Sequence, residues 1–356
     1  MRTAYINRIA TAVPPYDVHA AFLAFAEDQL AADRRMTTLF QRMTQRSGIA
    51  HRYSCLAPGA GLDNGAVDRD GFYRRGQFPD TAARMRQFER FAPKLAIEAV
   101  ERLLLDSADR SKITHLIITC CTGFSAPGLD LEIIERCQLA RSTERTIIGF
   151  MGCYAAMNAL KLARHIVRSE SDARVLALNL ELCSLHLKET SDIEQILSFM
   201  IFADGCAASL ISAEPTGIAL DRFHAVLAPE TADLITWHIR ESGFDMSLSG
   251  LVPSAVQTML HAERDTILDG APINGIDLWA IHPGGRSVLD AAEHGLGLGP
   301  SALDTSRGVL HRFGNMSSAT IMFVLHDMLD KRRARGCAMA FGPGVVAETM
   351  LFHTGG

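Results

Sequence analysis

A chain of 356 residues that is 48% apolar, with mean hydropathy +0.10, can bury a large core and is too long for one small domain, so two fused subdomains are expected. The formal net charge of -5 is made of interspersed charges of both signs with no basic stripe, which argues against nucleic acid as a partner. Eight cysteines, at positions 55, 120, 121, 137, 153, 183, 206 and 337, show neither CxxC spacing nor a paired Cys/His ligand pattern, so no disulfide framework and no metal site are expected. No uninterrupted apolar run approaches the roughly 18 residues of a membrane span. Near the start, Arg8 and Pro14-Pro15 break any apolar leader, and the expected setting is the cytoplasm.

In chain order, Pro58 to Asp80 is rich in Gly and Asp without periodicity and reads as a long surface loop. From Thr81 to Leu105, Phe88, Phe91, Leu95, Ala96, Ala99, Val100 and Leu103 recur at helical spacing, which predicts a helix lying on a sheet. Short apolar runs at His115 to Cys120, Thr146 to Ile148 and Val175 to Leu180 read as buried strands, and Ala156 to Val167 as a helix of small residues. Ala213-Glu214-Pro215-Thr216-Gly217 marks either the boundary between a half spanning 1–214 and a half spanning 215–356 or a hairpin turn inside one sheet. Beyond it, Leu278 to Ile281 reads as a strand, Ser287 to Leu296 and Ser317 to Arg333 as helices. Cys337 to Phe341 and Val346 to Phe352 form a closing hairpin turned by Gly342-Pro343-Gly344. The plan is α/β, and the similar order of the halves suggests a duplication without a residue-level repeat.

Three residues carry chemistry. Gly149-Phe150-Met151-Gly152-Cys153-Tyr154-Ala155-Ala156 sets a cysteine where a strand ends and a helix begins, where the positive end of the helix dipole favours thiolate; a buried structural cysteine is the alternative. His282 follows a buried strand and precedes Pro283-Gly284-Gly285-Arg286, so its ring emerges at a strand end. Asn315 lies in a loop entering the Ser317 helix, where a capping role competes with a functional one. Together they suit decarboxylative condensation. The thiolate attacks a thioester, His282 pairs with it, and the carboxamide donates to developing oxyanion charge without competing for protons.

At this point the sequence resembles the type III polyketide synthases, the chalcone and stilbene synthase family. Met151-Gly152-Cys153, Phe202-Ala203-Asp204-Gly205, Ile281-His282-Pro283-Gly284-Gly285, Gly314-Asn315-Met316-Ser317-Ser318 and Phe341-Gly342-Pro343-Gly344 resemble its five ordered motifs. The resemblance implies a thiolase-like fold, an αβαβα sandwich of two αβ halves with stacked mixed sheets, assembled as a homodimer. It also implies acyl-CoA starter and malonyl-CoA as substrates, no cofactor, and cyclisation to a pyrone or a resorcinol-type phenolic. Phe202 would be the gate between a CoA tunnel and the condensation cavity, and Arg42, Arg46 and Arg52, beside His51, would meet CoA phosphates. Around the cavity the resemblance places Cys121, Thr122, Ala126, Cys183, His186, Met246 and Ser317. Met246 stands where chalcone-forming members carry a second gating phenylalanine, and His186 and Cys183 replace smaller hydroxyl residues. Ala126 removes bulk where the pocket closes through the dimer interface, which together favours an aliphatic starter over a chalcone product.

An initiating β-ketoacyl-acyl-carrier-protein synthase shares the Cys/His/Asn set, but the Gly-Pro-Gly ending and the Phe202 strand favour the polyketide reading. A papain-like protease fails on the mid-chain position and local sequence of Cys153. A non-catalytic scaffold on the same fold is disfavoured because all three reactive residues are present.

Overall fold

The computed structural model describes residues 2–59 and 65–355. Its strands in chain order are β1 (Tyr5–Ala12), β2 (Tyr16–Asp17), β3 (Tyr53–Ser54), β4 (His115–Cys120), β5 (Glu144–Gly149), β6 (Val175–Leu182) and β7 (Asp204–Ser212), followed by β8 (Ile218–Leu227), β9 (Ile235–Arg240), β10 (Gly243–Leu248), β11 (Leu278–Ile281), β12 (Arg335–Gly342) and β13 (Val346–Thr354). Among the described residues, nine of these form one sheet in the order β11-β12-β13-β8-β1-β7-β6-β4-β5, while β9 with β10 and β2 with β3 form separate pairs.

Strands β4, β6 and β7 are buried at every position, as a sheet covered on both faces requires. Alternation decides which residue faces which layer. Leu116, Ile118, Leu176, Leu178 and Leu180 join an outer core with Phe88, Leu95, Ala96 and Val100 of the helix Thr81–Arg102. Ile117, Val175 and Ala177 face a central core built on Ala156, Ala159, Leu160 and Ala163 of the helix Ala155–Ser169 and on Ile321 to Leu325 of the helix Thr320–His326. A third core lies outside β11 and β12, under the helices Val252–Ile267 and Arg286–Leu296. The layers run helix, sheet, helix, sheet, helix, which is the expected α/β sandwich. The small side chains of Ala155–Ser169 let the central layer sit close to strands of both halves.

Outward from β1 on one side the neighbours are antiparallel β7, antiparallel β6 and parallel β4; outward from β8 on the other they are antiparallel β13, antiparallel β12 and parallel β11. The same succession thus occurs twice. The two runs are not separate sheets, because β1 also pairs with β8 through Tyr5↔Ala219 and Ile6↔Ile218. Residues 213–217 carry the chain from β7 to β8 across β1, so they are not a hairpin turn between paired neighbours.

The expected helix from Ser317 to Arg333 is shorter. A 3-10 turn at Ser317–Ala319 leads into Thr320–His326. Arg333 has φ 52°, a left-handed backbone that no helix continues through. In the loop expected from Pro58 to Asp80, residues 60–64 lie outside the described residues. Flanking them are isolated bridges Pro58↔Asp68 and Ala66↔Arg74, and Asp68 accepts backbone N–H bonds from Asp70, Phe72 and Tyr73. The stretch between Gly217 and Leu278, unassigned by periodicity, forms β8, the β9–β10 hairpin and the helix Val252–Ile267. No helix among the described residues is long and apolar enough to cross a membrane.

Candidate active site

The Cys153 turn is assembled from backbone strain and a close approach. After β5, Phe150 has φ 59° and Gly152 φ 77°, and Cys153 sits in the 3-10 turn Gly152–Tyr154 that runs directly into the helix Ala155–Ser169. A Cβ on Gly152 would lie 2.2 Å from Pro343 Cδ, so the Gly342-Pro343-Gly344 turn closes directly onto the cysteine turn. Two motifs far apart in sequence are therefore one surface.

His282 follows β11, its N–H donating to Met339 O at 2.8 Å, and the ring is buried with neither nitrogen hydrogen-bonded. Asn315 is held at both ends. Its N–H donates to Ile201 O at 2.8 Å and its carbonyl accepts from Ala203 N at 2.8 Å, bracketing Phe202 in an isolated parallel bridge. The side-chain Oδ1 accepts from Ser317 N at 2.8 Å and Thr320 Oγ1 at 3.3 Å, while Nδ2 donates to Gly284 O at 3.2 Å. With the oxygen accepting from Ser317 N, the amide turns its nitrogen to the cavity, one N–H donating to Gly284 O and the other directed at Cys153. The Cys153 thiol donates to Ser317 Oγ at 3.6 Å.

Burial dominates the electrostatics. It pushes the Cys153 thiol up to about 12, against the lowering hydrogen bonds from Ser317 and Asn315, and burial lowers the His282 imidazole to about 3. Burial thus works against charge on either residue. The thiolate–imidazolium pair expected from residue types would form against that burial.

Cys121, Thr122, Cys153, Cys183, Phe202, Met246, His282, Asn315, Ser317 and Arg46 all line one cavity of about 940 Å³. Phe202 packs with Cys153 and Cys183, beside Met246 and Leu248. Four expected residues lie elsewhere. His186 is buried behind the wall, with Nε2 at 2.7 Å from Thr122 O, Nδ1 accepting from Phe244 N at 3.2 Å, and its ring stacked on Phe244. Ala126 is exposed beside β5, outside the cavity of the single chain. Arg42 is exposed on the helix Arg34–Gln45 and does not reach the cavity lining. Arg52 turns inward with no exposure, donating to Phe199 O and Phe202 O, so it is unavailable to a CoA phosphate, and its neighbour His51 is engaged with Asp17 at 2.7 Å.

Sequence reasoning missed Glu181. It is buried at the end of β6, accepts from Ser318 Oγ at 2.6 Å, Thr122 Oγ1 at 2.9 Å and Cys121 N at 3.0 Å, and burial pushes it up to about 7 despite those bonds. A lone carboxylate closing an apolar strand run was the available signal. Trp237, also missed, lines the cavity and donates Nε1–H to Cys121 O at 2.8 Å.

Comparison with known proteins places these features in a family. The models for the chalcone and stilbene synthases match over residues 3–215 for the N-terminal domain and 220–355 for the C-terminal domain. A curated relative from Mycobacterium tuberculosis, the alpha-pyrone synthesis polyketide synthase-like Pks18, is 34% identical over 98% of this chain and 91% of its own length. A polyketide synthase of the brown alga Ectocarpus siliculosus superposes with TM-score 0.87 at 30% identity, covering 99% of both chains. The C-terminal type III domain of the Dictyostelium hybrid Steely1 shares the fold, with TM-score 0.90 at 24% identity over 99% of both chains.

Proposed function

Since the chain belongs to the chalcone and stilbene synthase family of type III polyketide synthases, condensing acyltransferases on the thiolase-like fold, we propose that it loads an acyl-CoA starter on Cys153 and extends it with malonyl-CoA. The observation that supports this most is the fixed amide of Asn315, nitrogen outward, sharing a cavity with the two unpartnered nitrogens of His282 and with Cys153.

Cys153 attacks the thioester carbonyl, its proton passes to His282, and the CoA thiolate leaves and takes that proton. Malonyl-CoA then loses carbon dioxide. The acetyl-CoA enolate formed is held by N–H groups of His282 and Asn315, and its carbon attacks the acyl carbonyl on Cys153, releasing the cysteine sulfur. Repeated extension ends in ring closure to a pyrone or resorcinol-type phenolic. A pyrone accords with the name of the mycobacterial relative. Flexible Met246, paired across the hairpin with Trp237, and the roomy cavity suit an aliphatic starter. CoA thioesters are substrates here and no cofactor enters the scheme; Arg46 and Arg286, the arginines of the cavity wall, would meet their phosphates. A cytoplasmic setting and a two-fold homodimer belong to the same reading. The dimer is supported by the open edge strand β5 and by exposed Phe124, Ile147 and Met151 around it.

The test is a panel of starter CoAs with mass-detected malonyl incorporation. Acyl mass on Cys153 and malonyl-dependent lactones are expected. A requirement for malonyl-carrier protein in place of malonyl-CoA would transfer the chain to the initiating-synthase reading.

A further inference from the structure

Arg52 is the fully buried cation nearest the gate, and among the described residues it makes no ion pair. Its guanidinium is used entirely on backbone and neutral groups. Nη1 donates to Phe199 O at 3.1 Å and Phe202 O at 3.0 Å, Nε donates to His19 Nδ1 at 2.9 Å, and Nη2 reaches Met200 Sδ at 3.8 Å. Its plane lies over the Phe22 ring, 5.3 Å from the centroid. The other side of the same side chain faces the asparagine motif. A Cβ on Gly314 would stand 2.8 Å from Arg52 Cγ, so glycine there leaves room for the arginine stem. Phe202 and Asn315 are themselves joined through Ile201 and Ala203.

We propose that Arg52 is a positioning residue that fixes the Phe199–Phe202 segment against Gly314-Asn315, so that the gate ring and the enolate donor are set as one unit. It touches no substrate. Nη1 alone reaches two carbonyls of one turn while Nε, a separate nitrogen of the same rigid plane, is anchored on His19, and the single nitrogen of lysine cannot hold both places at once. His19 is neutral in this arrangement, since burial lowers it to about 4, and its Nδ1 lone pair is what the arginine uses.

This inference rests on the polyketide reading of Cys153, His282 and Asn315. The experiment compares wild type with Arg52→Lys and Arg52→Met, counting active sites by acylation of Cys153 so that misfolded protein drops out. Decarboxylation of malonyl-CoA per acylatable site is expected to fall about 10- to 100-fold, in kcat and not in KM, as a small misplacement of a reacting group does. The loss should be as large with malonyl N-acetylcysteamine thioester, which has no phosphates. A loss confined to KM for CoA thioesters, absent with the truncated substrate, would overturn the proposal and return Arg52 to CoA binding. Unchanged kcat per site would overturn it too. If neither Arg52 variant folds, His19→Leu should show a smaller loss per site and His19→Gln, which keeps an acceptor, should restore it; equal activity of both with wild type sinks the idea. Wild type failing to decarboxylate malonyl-CoA would instead count against the polyketide reading itself.

Discussion

At the scale of single residues, Asn315 shows how a side chain of ordinary appearance is committed to one task. Because its oxygen is held by Ser317 N and Thr320 Oγ1, only nitrogen faces the cavity. Asn315→Ala should therefore lower malonyl-CoA decarboxylation by about 100- to 1000-fold while Cys153 still accepts an acyl group. Cys153→Ala should do the reverse, abolishing acyl transfer while acetyl-CoA release from malonyl-CoA persists, measured beside intact-mass detection of the acyl-enzyme. Loss of decarboxylation in Cys153→Ala as complete as in His282→Ala would refute that division. Glu181 predicts a pH effect. Its carboxyl moves from an ordinary 4.5 to about 7 in the folded protein, so between those values the folded state binds more protons than the unfolded one. The stabilisation is whole below pH 4.5 and lost as pH rises through about 7. Glu181→Gln should flatten the fall in thermal midpoint over that window, even though losing one acceptor oxygen lowers stability at every pH. That Cys153, His282 and Asn315 line one cavity could be anticipated from the sequence, because each lies at an element end in a glycine-containing segment. Arg52 could not: proximity to Arg42 and Arg46 along the chain suggested a shared surface, whereas the fold turns it towards carbonyls of a segment some 150 residues away.

At the scale of elements, the motifs prove to be paired contacts. Gly205 at the start of β7 lies where a Cβ would be 2.3 Å from Met316 Sδ, which ties the Phe202 motif to the asparagine motif as firmly as Gly152 ties the cysteine to Pro343. Gly205→Ala should destabilise the fold, and because methionine is flexible, Met316→Ala should recover much of the loss in the double variant; urea midpoints in a double-mutant cycle would check this, and additive losses would refute it. Gly152→Ala has no such rescue, combining contact with a proline ring and a left-handed backbone. It should cost about 1–3 kcal/mol in urea unfolding and slow acylation of Cys153. Strands β4 and β6 and the helix Thr81–Arg102 were legible because burial on both faces, or along one stripe, writes itself into residue type, whereas Thr146 to Ile148, expected as a buried strand, lies in β5, whose residues are mostly exposed because it is the edge of the sheet. The β9–β10 hairpin was not. Its strands mix Thr236, His238 and Asp245 with Trp237 and Met246, because one wall is a cavity rather than a packed core.

At the scale of the molecule, β5 ends the nine-stranded sheet with most of its residues exposed, and Ala126 lies on the same flank. Light scattering at low micromolar concentration should give about twice 38.8 kDa. Ala126→Phe should shorten the starter or product accepted without blocking acylation by a short acyl-CoA, if that flank closes the pocket of a partner; an unchanged product spectrum would exclude it. The repeated strand order was foreseen as two similar halves, but their fusion through β1 was not, since pairing between Ile6 and Ile218 leaves no local trace. That fusion has a consequence for synthesis on the ribosome. β1 is made early, yet both of its neighbours, β7 and β8, emerge only after most of the first half has been translated. Until then Ile6, Ile9 and Ala10 form an unsatisfied apolar edge, a natural client for a holding chaperone. Chains stalled before β7 clears the exit tunnel should be cut readily by protease within β1, and those stalled after β8 has cleared should resist, so folding of the first half waits on the opening strand of the second.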